Sequence, residues 1–78
     1  MELDLRGKRA EEVKDLLDSY LNDAAVSNLP WVRIIHGHGT GVVKQIVRET
    51  LAVHPLVKSY KPGERNEGGD GVTIASMK

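Results

Sequence analysis

The chain has 78 residues, 40% apolar and 28% charged, with no cysteine and a formal net charge of zero. That length holds one domain and one core, and folding at this size buries only roughly 60–65% of the unfolded surface, so a channel, a multidomain enzyme and a repeat array are excluded. The missing cysteine removes disulfides, thiolate zinc sites and cysteine nucleophiles together.

Leu3-Asp4-Leu5-Arg6 alternates apolar and polar residues, which predicts a half-buried strand broken by Gly7. Val13, Leu16, Leu17, Tyr20, Leu21, Ala24 and Ala25 then recur at steps of three and four. They form one apolar stripe on an amphipathic helix over residues 9–27. Glu11 and Glu12 suit the positive end of its dipole, and Asn28 and Pro30 supply the stop. Trp31-Val32-Arg33-Ile34-Ile35 is rich in β-branched and aromatic side chains and predicts a second strand. His36-Gly37-His38-Gly39-Thr40-Gly41 ends it, and Val42, Val43, Ile46, Val47 and Leu51 mark a second helix up to His54-Pro55. His54 is expected to be a partner of that helix's C-terminal dipole. Residues 56–60 predict a third strand, Pro62 to Gly71 a polar glycine-rich loop, and Val72-Thr73-Ile74-Ala75 a fourth strand.

The order βαβαββ implies parallel neighbours joined by right-handed crossovers. If both crossovers advance in one direction, both helices lie on one face and a two-layer α/β sandwich leaves the other sheet face open. Leu3, Leu5, Val32, Ile34, Val72 and Ile74 are then expected to face the helices. Asp4, Arg6, Arg33 and Thr73 are expected to face the open side.

Arg6-Gly7 and His36-Gly37 end neighbouring parallel strands, where open α/β sheets place their ligands. The glycine-rich run 37–41 precedes a helix N-terminus, which suits an anionic phosphate or, equally, a tight turn. It is not a Walker A loop, since no Gly-Lys-Ser/Thr follows. His36 is open to three readings: general acid/base, metal ligand with His38, or structural histidine. Asp4 and Arg6 share a strand face, so one could orient His36 while the other binds a phosphate oxygen; a surface ion pair is the plainer alternative. Glu64, Glu67 and Asp70 lie in the long loop, either solvated or close to the site.

Zero net charge argues at first against a nucleic-acid partner. Residues 11–23, however, hold five carboxylates against Lys14 alone, about −4, so the remainder is about +4. That remainder includes Lys8, Arg9, Arg33, Lys44, Lys58, Lys61 and Arg65, which together could follow a phosphate backbone. No apolar run approaches the roughly 18 residues of a membrane span, and the first residues are strand-like rather than a signal peptide. A cytoplasmic location and no membrane partner are expected.

Leu3-Asp4-Leu5-Arg6-Gly7 resembles the LDLRG motif of the small MutS-related (Smr) domain, and His36-Gly37-His38-Gly39 resembles its HGxG motif. Asn66-Glu67-Gly68-Gly69-Asp70-Gly71-Val72-Thr73 resembles the glycine-rich segment before its last strand. The match covers nearly the whole chain in order and spacing, and its details are similar to the C-terminal Smr domain of the second-type bacterial MutS paralogues. Met1 then reads as an introduced start, and residues 1–78 as one domain excised from a larger protein. The resemblance implies a fold like the C-terminal domain of translation initiation factor three, with strand order 1-2-4-3 and strand 4 antiparallel. It also implies endonuclease activity: nicking of DNA in recombination control, or cleavage of mRNA on stalled ribosomes. Asp4, Arg6 and His36 are the expected catalytic positions. Gly7, Lys8, Arg9, Arg33, Gly37, His38, Gly39, Thr40, Gly41, Lys44, Lys58, Lys61 and Arg65 are the expected phosphate or nucleic-acid contacts. The expected partner is DNA or RNA, with the ribosome reached through the parent protein and the isolated domain a monomer. The strand ends offer only Asp4 as a carboxylate, which suits metal-poor RNA chemistry through the 2′-hydroxyl. DNA hydrolysis would call for Mg or Mn recruited partly by Glu64, Glu67 or Asp70. The alternative is a non-catalytic module that binds nucleic acid or the ribosome.

Overall fold

A computed structural model of the chain describes residues 1–39 and 41–78. Thr40, expected as a phosphate contact, lies outside the described residues. The elements are β1 (Glu2–Asp4), α1 (Ala10–Val26), β2 (Trp31–Ile35), α2 (Val42–Val53), β3 (Val57–Pro62) and β4 (Val72–Met77). Two short 3-10 turns, Arg65–Glu67 and Gly69–Gly71, stand in the expected loop.

The first helix begins where its orphan amides find an acceptor. Glu12 Oε2 accepts the Arg9 backbone N–H at 2.9 Å, ahead of the first turn. It ends where Asn28 takes a left-handed φ of 58° and the Leu29 N–H returns 3.0 Å to the Ala24 carbonyl. Between these ends Val13, Leu17, Leu21 and Ala24 are buried, which is the expected stripe. On α2 the buried residues are Val47 and Leu51.

The sheet order is β1-β2-β4-β3, with β1 parallel to β2 and β4 antiparallel to both its neighbours. Both helices pack on one face, against each other and against Leu5, Val32, Ile34, Ala75 and Met77. Directly paired residues share a sheet face. Ile34 pairs with Thr73 and Val32 with Ala75, while Arg33 pairs with Ile74 and Ile35 with Val72.

This register corrects the expected facing of β4. Thr73 points to the helices and is fully buried, whereas Val72 and Ile74 point to the other face. Those two are nevertheless only 3% and 6% exposed, because residues 63–71 fold back over them. The Gly63 N–H donates to the Val72 carbonyl at 2.9 Å. A Cβ on Gly68 would stand 2.5 Å from Val72 Cγ2, so only glycine permits this approach. The second sheet face is therefore roofed near its strand ends rather than open throughout.

His54 also departs from expectation. Its Nδ1 accepts the Leu56 N–H at 3.2 Å, which leaves Nε2 as the donor to Asp18 Oδ1 at 2.7 Å. The ring thus ties the end of α2 to the middle of α1.

Candidate nucleic-acid site

The C-terminal ends of β1 and β2 lie side by side, since Asp4 pairs with Ile35 and the Leu5 N–H donates to the Ile35 carbonyl at 2.7 Å. The turn after β2 is clamped to the start of β4. The N–H groups of His36 and Gly37 both donate to the Gly71 carbonyl, at 3.0 and 2.9 Å. A Cβ on Gly71 would come within 2.9 Å of the His38 ring, so a side chain there would displace that exposed imidazole.

A groove of about 390 Å³ opens on the roofed face at this end. Ile35 and Val72 form its apolar floor, and Arg6, Arg33 and His38 stand around it. Arg6 also lies along the turn, since a Cβ on Gly37 would be 3.4 Å from its Cγ. Two guanidinium groups, one imidazole and the glycine-rich turn thus meet over one concavity, which is a phosphate-binding chemistry.

Asp4 grips Arg6 through two near-parallel bonds, Nε to Oδ1 at 3.0 Å and Nη2 to Oδ2 at 2.8 Å. The Arg6 backbone N–H adds a third, to Oδ1 at 3.0 Å. Hydrogen bonds from Arg6 hold the Asp4 carboxyl at about 2 against its usual 3.8. Arg33 is anchored at both ends of its guanidinium, donating to the Glu67 carbonyl at 3.0 Å and to Glu2 Oε2 at 2.9 Å.

His36 lies under the turn rather than in the groove. It is 6% exposed; Nδ1 pairs with the Gly37 carbonyl at 3.0 Å and Nε2 with Thr73 Oγ1 at 2.8 Å. A carbonyl only accepts, so Nδ1 carries the proton and Nε2 accepts from the Thr73 hydroxyl. Burial pushes its pKa below 6.5, and the positive charges of Lys44 and Arg48 on α2 push the same way. The expectation that Asp4 or Arg6 orients His36 is corrected: the carboxylate and guanidinium bind each other on the far sheet face, and Thr73 and Gly37 hold the ring.

The remaining expected contacts divide by place. Gly7, Lys8 and Arg9 form the exposed β1–α1 turn, and Gly39 is exposed beside His38. Gly41 and Lys44 border a second concavity along α2. Lys58 and Lys61 are on β3, the latter in a hollow with Trp31, and Arg65 is exposed in the first 3-10 turn. These lie outside the groove. Among the described residues no three His, Asp or Glu side chains gather as a metal site. The Glu67 carboxylate accepts the Glu64 N–H at 2.7 Å. The hydroxyl of Thr73, which holds His36, carries no signal of that role in the sequence.

Comparison with known proteins agrees with this fold. The family model described as the Smr domain matches residues 3–78. The chain is 50% identical over 78 residues to the endonuclease MutS2 of Geobacillus kaustophilus, and 50% identical over 76 residues to that of Clostridium beijerinckii. All or nearly all of this chain is covered (100% and 97%), but it spans only 10% of each of those relatives. The crystal structure of the Smr domain of Thermus thermophilus MutS2 superposes with a TM-score of 0.95 at 36% identity, covering 99% of this chain and 96% of that one. YdaL, a stand-alone small MutS-related protein from Escherichia coli, gives 0.93 at 25% identity, covering 99% and 63%.

Proposed function

This chain belongs to the Smr domain family, and from that premise we propose that it nicks phosphodiester backbones as one domain of a larger MutS2-like protein. The observation that carries the reading is the meeting of Arg6, Arg33 and His38 over one groove at the strand ends. A phosphate there is held by two guanidinium groups, and Arg6 is held in orientation by Asp4. Fixed donors of this kind stabilise the charge that grows on the phosphoryl oxygens in the transition state.

The reaction this donor set suits is transesterification of RNA. The 2′-oxygen bonds to the adjacent phosphorus and its proton passes to the His38 imidazole. The bond from phosphorus to the 5′-oxygen breaks, and the leaving oxygen takes a proton from water or the imidazolium. His36, with both ring nitrogens bound inside the protein, is a positioning residue that fixes the turn carrying His38. On DNA, water must be the nucleophile, and a divalent metal such as Mg or Mn would then be recruited. Delivery to a recombination intermediate or a ribosome belongs to the rest of the parent protein.

The same burial of His36 favours a second reading, a non-catalytic module that clamps nucleic acid in the groove. Cleavage and binding measured together on matched RNA and DNA strands, with Arg6→Ala and His38→Ala, separate the two. An enzyme loses cleavage in His38→Ala while keeping most of its binding, whereas a clamp never cleaves.

A further inference from the structure

Beside the turn, on the helix side of the sheet, a second concavity of about 400 Å³ lies between α2 and β3. Its wall is largely apolar, with Ala52 at the surface and Tyr60 across from the helix. Lys44 and Arg48, one helical turn apart, border it, and Gly41 closes the end nearest the glycine-rich turn. The lining holds one carboxylate, Glu49, which is engaged by Gln45 Nε2 at 3.2 Å.

Tyr60 reaches this place because β3 is irregular. Val57 pairs with Met77 and Ser59 with Ser76, so β3 advances two residues where β4 advances one. The extra residue is a bulge that changes which side chains face α2. With strict alternation from Val57, Ser59 and Lys61 would face the helix. With the bulge Tyr60 does, paired with Ala75 on the helix side, and its ring remains 39% exposed.

We propose that this concavity is an unpaired-nucleotide subsite, in which the Tyr60 ring stacks on a base while Lys44 and Arg48 hold its flanking phosphates. The proposal rests on the nucleic-acid reading above and adds a strand requirement to it. A base inside a duplex offers no free face to Tyr60, so single strands, frayed ends and loops are the preferred partners. The subsite also extends the path of a strand from the groove of Arg6 and Arg33, around the turn, onto α2. An exposed aromatic ring with two cations one turn apart is the combination that binds single strands with little regard to sequence.

The test is the affinity of the chain for a ten-nucleotide oligo(dT), an oligo(U) of the same length and a blunt duplex, by fluorescence anisotropy. Tyr60→Leu keeps the bulk and removes the aromatic face, and it weakens binding of both single strands by about tenfold with no loss on the duplex. Tyr60→Phe recovers the affinity lost in Tyr60→Leu. Arg48→Gln weakens single strands and lowers the salt dependence of binding. Unfolding midpoints confirm that each variant folds, and quenching of a Tyr60→Trp reporter in a Trp31→Phe background reads stacking directly. Unchanged single-strand affinity in Tyr60→Leu, with affinity lost in Arg6→Ala, overturns the subsite and leaves the groove reading intact. No binding of any strand by the unaltered chain overturns both.

Discussion

Thr73 Oγ1 stands 2.8 Å from His36 Nε2, and this bond joins the middle of the sheet to the turn that borders the groove. Both residues are buried, so the bond cannot be exchanged for water. Thr73→Val keeps the shape and leaves Nε2 without its donor, a loss expected to cost about 1–3 kcal/mol. Thr73→Ser keeps the hydroxyl and is expected to cost less. Urea denaturation of the three proteins measures the difference.

The pH dependence of stability has a definite sign. The folded His36 holds its proton less tightly than the unfolded chain, whose value is 6.5. Below that value the unfolded state binds a proton that the folded state refuses, so stability falls as pH drops from 6.5 toward the folded value. Asp4, fully exposed, adds only a small decline of the same sign as pH falls from 3.8 toward about 2. Denaturant midpoints at pH 7.5, 6 and 5 are expected to decline for the wild type. In a His36→Asn variant that decline is expected to flatten.

Asp4→Asn separates orientation from stability. The Asp4–Arg6 pair is exposed, with side chains 46% and 64% accessible, and exposed pairs contribute little to folding. Its melting temperature is expected to stay near the wild-type value. Phosphodiester cleavage is expected to fall, because Arg6 loses the two-pronged partner that aims it. Parallel melting curves and nicking rates check both halves.

His54 is expected to matter for folding and not for cleavage. His54→Ala frees the Leu56 N–H and breaks the link to Asp18, at a cost of about 1 kcal/mol. For a domain of this size that lowers the midpoint by roughly 4–8 °C. Differential scanning calorimetry reads the shift, and an unaltered nicking rate below the midpoint completes the prediction.

How far the sequence was legible differs between fold and site. The helix stripes and the β2 run are long, periodic signals, and α1, β2 and α2 stand within a residue or so of where they are expected. The strand order came from the resemblance to the Smr domain and not from periodicity. The facing of β4 was illegible because an apolar residue stands on each parity, Val72 and Ile74 on one and Ala75 on the other; only pairing with β2 fixes which residues look at the helices. The loop 63–71 hides the reason for that double apolarity, since its packing over Val72 depends on a glycine approach that no pattern announces. At the site, Asp4, Arg6, His36 and His38 were singled out by position. That the sheet separates the first pair from His36 depends on strand parity, and that Thr73 holds the ring depends on the same register. Tyr60 was hidden by the bulge, which strict alternation does not foresee.

On this reading the groove of Arg6, Arg33 and His38 cuts nucleic acid with this chain's own side chains. The decisive measurement is one nicking assay on matched RNA and DNA strands, with and without EDTA, with wild type run beside His38→Ala and Arg6→Ala. RNA cleavage is expected to persist in EDTA and to be lost in both variants. Equal cleavage by the variants, or DNA nicking that persists in EDTA, would overturn the assignment of cleavage to this groove.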